Sequence, residues 1–185
     1  MANKVKYGLK NVYYSVITYT GNTAAYATPV AIPGAVSLSL SAESNDNTFY
    51  ADNIAYFKTY ANNGYSGDLE VALLPDAFKQ AVLGETLDTD GFYIETAGGD
   101  TTEFALLFQF EGDDKAIRHC FYRCTCSRPD VAGQTVQDTI EPQTETLSLT
   151  ALPRLSDNVV KSRCPEGATA YSGWFSSVTE PTPAT

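Results

Sequence analysis

Apolar and hydroxylated residues alternate without a break from Ala35 to Ser41, with Val36, Leu38 and Leu40 separated by Ser37, Ser39 and Ser41. Successive side chains of a strand point to opposite faces, so this spacing yields one apolar face and one row of hydroxyls. Thr144 to Ala151 repeats the design, with Leu147, Leu149 and Ala151 on one side and Thr146, Ser148 and Thr150 on the other. Both segments are predicted to be half-buried antiparallel strands. Leu69, Val71 and Leu73 alternate with Glu70 and Ala72, while Phe104, Leu106, Phe108 and Phe110 alternate with Ala105, Leu107, Gln109 and Glu111. The second run belongs near a sheet centre. The glycine-containing turn at Glu111 to Asp114 should lead into a paired strand over Ala116 to Cys126. A weaker strand spans Tyr13 to Thr18.

One helix is expected, from Pro75 to Leu83, with proline at its start, Gly84 as its stop, and Phe78, Val82 and Leu74 as its buried stripe. The chain has 185 residues, of which 43% are hydrophobic and 12% aromatic, enough for one β domain with a real core. The expected fold is therefore mainly β, an antiparallel β-sandwich or barrel-like domain with one flanking helix. That domain is assigned to residues 1–155, and residues 156–185 to a C-terminal extension whose last residues are mobile. Between the strands, residues 42–64 read as a long loop. Phe49, Tyr50, Ile54, Tyr56, Phe57 and Tyr60 argue against disorder there, so the rings either finish a local subcore or meet another subunit. Asn63-Gly64 reads as a turn.

Twelve basic against 22 acidic residues give a formal net charge of -10, which repels phosphate backbones and anionic membranes. The charge serves either solubility or repulsion of a polyanion passing nearby. The N-terminus lacks the apolar stretch of a secretory signal and no run approaches the roughly 20 residues of a membrane span, so a soluble cytoplasmic protein is expected. Cys120, Cys124, Cys126 and Cys164 would permit two disulfides, but without an export signal free thiols are expected. The first three, at Cys-x3-Cys-x-Cys spacing, should share one strand face, which suits packing better than tetrahedral zinc. His119 and Cys120, as strand neighbours, point apart, which defeats a Cys/His catalytic pair. Asp88-Thr89-Asp90-Gly91 lacks the remaining calcium-loop ligands and reads as a turn. Gly64-Tyr65-Ser66-Gly67 lacks the final glycine of a nucleophile elbow. No phosphate loop, basic stripe or paired carboxylate frame appears, so neither an enzyme nor a cofactor is expected.

Several stretches have a shared order and spacing: Lys4 to Val12, Ile32 to Val36, Phe49-Tyr50-Ala51-Asp52-Asn53, Asn63 to Asp68, Phe104 to Phe108, Phe121-Tyr122, Arg128-Pro129 and Glu141 to Thr146. Over residues 4–155 the chain resembles the major tail protein family of long-tailed bacteriophages and prophages of Gram-positive bacteria. That resemblance implies a structural virion protein, assembled in the host cytoplasm, whose hexameric rings stack into a tail tube. The implied partners are further copies of itself, the tape-measure protein, the tail terminator and the distal tail or baseplate proteins. Genomic DNA would pass through the lumen without specific binding. Phe49, Tyr50, Asp52, Asn53, Tyr56 and Phe57 are the self-association candidates. Ser37, Ser39, Glu70, Gln109, Glu111, Ser148 and Thr150 are candidates for the lumen wall, or for an outward solvent face. The competing reading is a monomeric β-sandwich module binding carbohydrate or protein through Tyr-rich loops.

Overall fold

The computed structural model describes residues 5–112, 116–135 and 142–182. Its strands in chain order are β1 (Leu9–Thr20), β2 (Thr23–Tyr26), β3 (Val30–Ala31), β4 (Ala35–Ala51), β5 (Ile54–Val71), β6 (Thr86–Leu87), β7 (Tyr93–Ile94), β8 (Phe104–Phe110), β9 (Arg118–Cys126), β10 (Glu145–Ala151) and β11 (Lys161–Cys164), with α1 (Asp76–Val82) between β5 and β6. Nine strands form one antiparallel sheet in the order β2-β1-β8-β9-β10-β5-β4, with β3 added to β1 and β11 to β9. The expected mainly β fold with a flanking helix is the one observed. Residues Ile32–Gly34 carry the chain from β3, at one end of the sheet, to β4 at the other, so the sheet curls into a barrel-like shell.

The shell encloses the larger core. Leu69 and Val71 of β5, Phe104, Leu106 and Phe108 of β8, and Leu147 and Leu149 of β10 meet there. Helix α1 closes one side, with the Phe78 ring edge-on to Tyr14 at 4.8 Å and to Phe104 at 5.4 Å between centroids. Pro75 sits at the N-cap and Gly84 takes a positive φ of 75° past the last turn. The alternate residues of β8 and β9 face outward but are buried as well. Ala105, Leu107, Cys120 and Tyr122 are covered by Tyr171, Trp174, Phe175 and Val178 of the C-terminal segment. That segment is held by Arg118, which lies over the Tyr171 ring at 3.8 Å, by Arg154 paired with Glu180 at 2.8 Å, and by the Tyr122 hydroxyl donating to the Thr179 carbonyl. The stretch set apart in the sequence as an extension thus contributes β11 to the sheet and a second core to its outside. Its final residues, 183–185, lie outside the described residues.

Several local expectations are corrected, each by a bulge or by pairing that the alternation does not reveal. Residues 42–64 are not a loop: β4 and β5 pair through them, and the reversal comes at Asp52-Asn53, whose φ values of 52° and 62° suit a two-residue hairpin turn. Asn63-Gly64 is therefore not a turn but a bulge in β5, since Glu43 pairs with Gly64 and Ser44 with Asn62. Val36 is the extra residue of another bulge and is exposed, so Ala35, Leu38 and Leu40 turn to the core instead. Leu73 lies beyond β5 and is exposed, its place in the core taken by Leu74. The three clustered cysteines do not share a face. Between Phe121 and Cys124 the strand β9 gains a residue relative to β8, which leaves Cys120 on the outer face and turns Cys124 and Cys126 to the inner core. All four cysteines are free and buried, and burial pushes the Cys126 thiol up to about 12. The residues joining β8 to β9 are described only in part, because 113–115 lie outside the described residues.

Two glycines on β5 permit the close strand contacts. A Cβ at Gly64 (φ 120°) would stand 2.1 Å from the Ala151 carbonyl oxygen, and one at Gly67 (φ 154°) 1.9 Å from that of Ser39. Gly64→Ala is expected to cost about 2–4 kcal/mol by backbone strain and forced separation from β10, read as a lowered midpoint in denaturant. The fold also carries a pH-dependent clasp. The Arg123 guanidinium grips Glu103 through both carboxylate oxygens at 2.7–3.0 Å, which holds that carboxyl below its ordinary value of 4.5. A depressed folded pKa contributes stability that is complete above the ordinary value and lost as pH falls through the folded one. Glu103→Gln should flatten the acid limb of a stability-versus-pH curve below pH 4.5.

Candidate assembly surfaces

The outer halves of β4 and β5 leave the shell as a two-stranded arm. Beyond Leu40 and Tyr65, the last residues packed on the core, residues 41–51 of β4 and 54–64 of β5 run on to the tip, about 36 Å at strand spacing. Cross-strand partners share a face, so Phe49 with Phe57 and Asn47 with Thr59 mark one side. Asp46 with Tyr60, Thr48 with Lys58 and Tyr50 with Ala55 mark the other. Tyr56 is the extra residue of a bulge, and Asp52 and Asn53 form the exposed tip. Phe49, Tyr50, Ile54, Tyr56, Phe57 and Tyr60 are each 60–70% exposed.

The six self-association candidates therefore lie together on one element, joined by Ile54 and Tyr60. A ribbon of two strands gains little by itself in water, and this one has apolar rings on both sides with no core under either. Its one ion pair among the described residues is diagonal, Lys58 Nζ to Asp46 Oδ2 at 2.9 Å, with the same ammonium 5.0 Å from the Tyr60 ring. The local-subcore reading of these rings finds no support among the described residues.

The second surface is the outer face of β4, β5, β10 and the end of β9. Ser37 opposes Glu70 and Ser39 opposes Asp68 across β4 and β5, while Thr146, Ser148 and Thr150 of β10 oppose Glu70, Asp68 and Ser66 from the other side. Thr150 also opposes Thr125 of β9. Glu70 accepts hydrogen bonds from Thr144 at 2.7 Å and Ser37 at 2.9 Å, which hold its carboxyl below the usual range. Asp68 accepts one from Ser148 at 2.8 Å, and Ser66 donates to Glu43. The hydroxyls are thus oriented by the carboxylates, and the face offers acceptors and negative charge.

Ser37, Ser39, Glu70, Ser148 and Thr150 are brought together here; Gln109 and Glu111 are not. Gln109 is 7% exposed, on the outward side of β8 with Leu107, and accepts from the Asn11 amide. Glu111 lies at the β1–β8 rim, paired with Lys10 at 3.4 Å. Asp68 was missed by the sequence reading, although the alternation Asp68-Leu69-Glu70-Val71 already puts it beside Glu70.

Asp88 closes a surface turn, accepting from the amides of Asp90 and Phe92. Among the described residues no group of three His, Cys, Asp or Glu side chains is placed to hold a metal ion, and no helix is long and apolar enough to cross a membrane. No family model matches the chain, and no curated protein matches it. Phe57→Ser is expected to leave the unfolding free energy of the isolated subunit within about 0.5 kcal/mol, as for an exposed site. A loss of several times that would show that the ring is packed at home rather than reserved for a partner.

Proposed function

We propose that this chain is the tail-tube subunit of a long-tailed bacteriophage, a structural protein that polymerises as stacked rings and acts by enclosing a passage. The observation that carries this reading is the arm, a paired ribbon with exposed aromatic residues on both faces and no partner within its own subunit. A compact 20.0 kDa monomer exposes roughly 8,700 Å², whereas this chain exposes 11750 Å². The difference has the order of the roughly 2,000–5,000 Å² buried in obligate assemblies, and the arm is its most evident source.

The hydroxyl and carboxylate face suits the wall of such a passage. Asp68 and Glu70 repel a polyanion, and the face holds no lysine or arginine that could release counterions from it. DNA would slide past it without being held. In this reading the ring is hexameric, and the tape-measure protein fills the passage during assembly. The terminator and the distal tail or baseplate proteins then cap its two ends.

Negative-stain electron microscopy of the purified protein should show stacked rings or tubes; dispersed particles at every concentration would favour a monomeric binding module. Phe49→Ala with Tyr50→Ala should abolish the tubes while leaving the monomer's unfolding midpoint in place. In a phage carrying this chain, Asp68→Lys with Glu70→Lys should preserve tubes yet slow DNA ejection. Unchanged ejection would remove that face from the lumen.

A further inference from the structure

Among the described residues most cations are paired. Lys10, Lys58, Lys79, Arg123, Arg128 and Arg154 each meet a carboxylate. Among the described residues the cations without one are Lys6, Arg118, Lys161 and Arg163, and Arg118 is held between Tyr171 and Phe175. The remaining three converge on one place. Lys6 and Lys161 line a cleft of about 360 Å³ floored by Phe108, Phe110, Phe121 and Tyr65, and Arg163 lines an adjoining hollow of about 400 Å³ that shares His119 and Lys161. Lys6 Nζ lies 4.7 Å from the Phe110 ring and Lys161 Nζ 4.2 Å from the Tyr65 ring. In a protein of net charge -10 this is a positive, aromatic-lined recess.

The recess also borders an available strand edge. Leu38 to Leu40 of β4 form one wall, and β4, last in the sheet order, pairs only with β5. A cleft with an aromatic floor, ammonium groups at its rim and an open edge suits an extended or hairpin segment that brings apolar side chains and a carboxylate. The arm tip has that composition. Tyr50 and Ile54 flank the turn, and Asp52 has no ion-pair partner among the described residues, whereas Asp46 of the same arm is paired with Lys58.

Resting on the tail-tube reading, we infer that the arm tip of one subunit seats in this recess of a second copy of the chain, with Tyr50 and Ile54 against the rings and Asp52 among Lys6, Lys161 and Arg163. The pairing is head to tail: the donor uses its tip and the acceptor uses a different surface, so each copy keeps one of each free for the next.

Two measurements test this on the full-length protein. The first is a cysteine pair, Ile54→Cys with Arg163→Cys, both at exposed positions in a chain whose four native cysteines are buried. Mild oxidation of the assembled variant should give a ladder of covalent oligomers on a denaturing gel, absent from either single variant. The second is charge coupling. Lys161→Glu should raise the concentration needed for assembly about tenfold or more, and Asp52→Asn alone about threefold, as for close interfacial charges. Asn tolerates the left-handed conformation at the tip, so that change removes charge without adding strain. Asp52→Asn should nevertheless improve assembly of the Lys161→Glu variant, because it relieves the new repulsion.

Rings or tubes that give no ladder, or purely additive effects of the two substitutions, would overturn the seating and leave the tail-tube reading in place. A wild-type protein that never assembles would remove both. Binding of a short fluorescent DNA that Lys161→Glu abolishes, with assembly unchanged, would make the recess a polyanion site and would also overturn the proposal.

Discussion

The register between β4 and β5 is the constraint on which the other features hang. It is held from Ala35–Val71 at the base to Ala51–Ile54 at the tip. Side chains alternate with a period of two, so a slip of one residue would exchange the faces along the whole hairpin. Leu38 and Leu69 would leave the core, Ser39 and Asp68 would enter it, and Phe49 and Phe57 would lose each other. Two devices fix the register. At the tip, Asp52 and Asn53 both take the left-handed conformation that a tight two-residue turn requires. Near the base, Gly64 and Gly67 let β10 and β4 approach more closely than any side chain would allow. The pinning at the base comes from the core and the pinning at the tip from local conformation, so the exposed stretch between them can keep its pairing without burial.

How far the fold was legible follows from where burial imposes a pattern. Residues 35–41 and 144–151 are strands because one face is buried and the other is wet, and their alternation says so. The arm has no buried face, so nothing forces alternation on it, and rings on both sides read as an irregular loop. Asp52-Asn53 between aromatic and β-branched neighbours was the available hairpin signal, and it was outweighed by the polar residues around it. The bulges at Val36, Asn63 and between Phe121 and Cys124 add single residues that pattern counting cannot see. They account for the exposed Val36, the mistaken turn and the divided cysteines. Gln109 looked like a wall residue because its neighbours on β8 alternate. It is buried and accepts from the Asn11 amide, 98 positions earlier in the chain, a contact that no local alternation reveals.

The acidic charge gains meaning from its distribution. On the β4-β5-β10 face the carboxylates of Asp68 and Glu70 accept from surrounding hydroxyls, and for Glu70 the bonds from Thr144 and Ser37 favour the charged form. On the opposite flank, where β9 and β11 meet the edge of β4, the unpaired cations gather over aromatic rings. A chain with a negative face on one side and a positive recess on another has an electrostatic direction. Attraction between unlike surfaces then competes with the repulsion that a net charge of -10 imposes on any approach of two copies.

Direction matters for what kind of assembly the contacts allow. A self-complementary patch pairs with its own copy and stops at a dimer, whereas a tip that fits a different surface leaves an unused tip and an unused recess at the ends of every chain of subunits. Such a contact closes into a ring or continues as a filament, according to the rotation it imposes. The arm is about 36 Å of ribbon beyond the core, stiffened by its own backbone pairing. In the proposed assembly its pairing would lower the ordering cost of each contact, because the rings are held in register without a partner. A loose loop with the same residues would have to be ordered at every step of polymerisation. In the proposed assembly the paired ribbon would leave mainly the desolvation of its rings, a term that favours association.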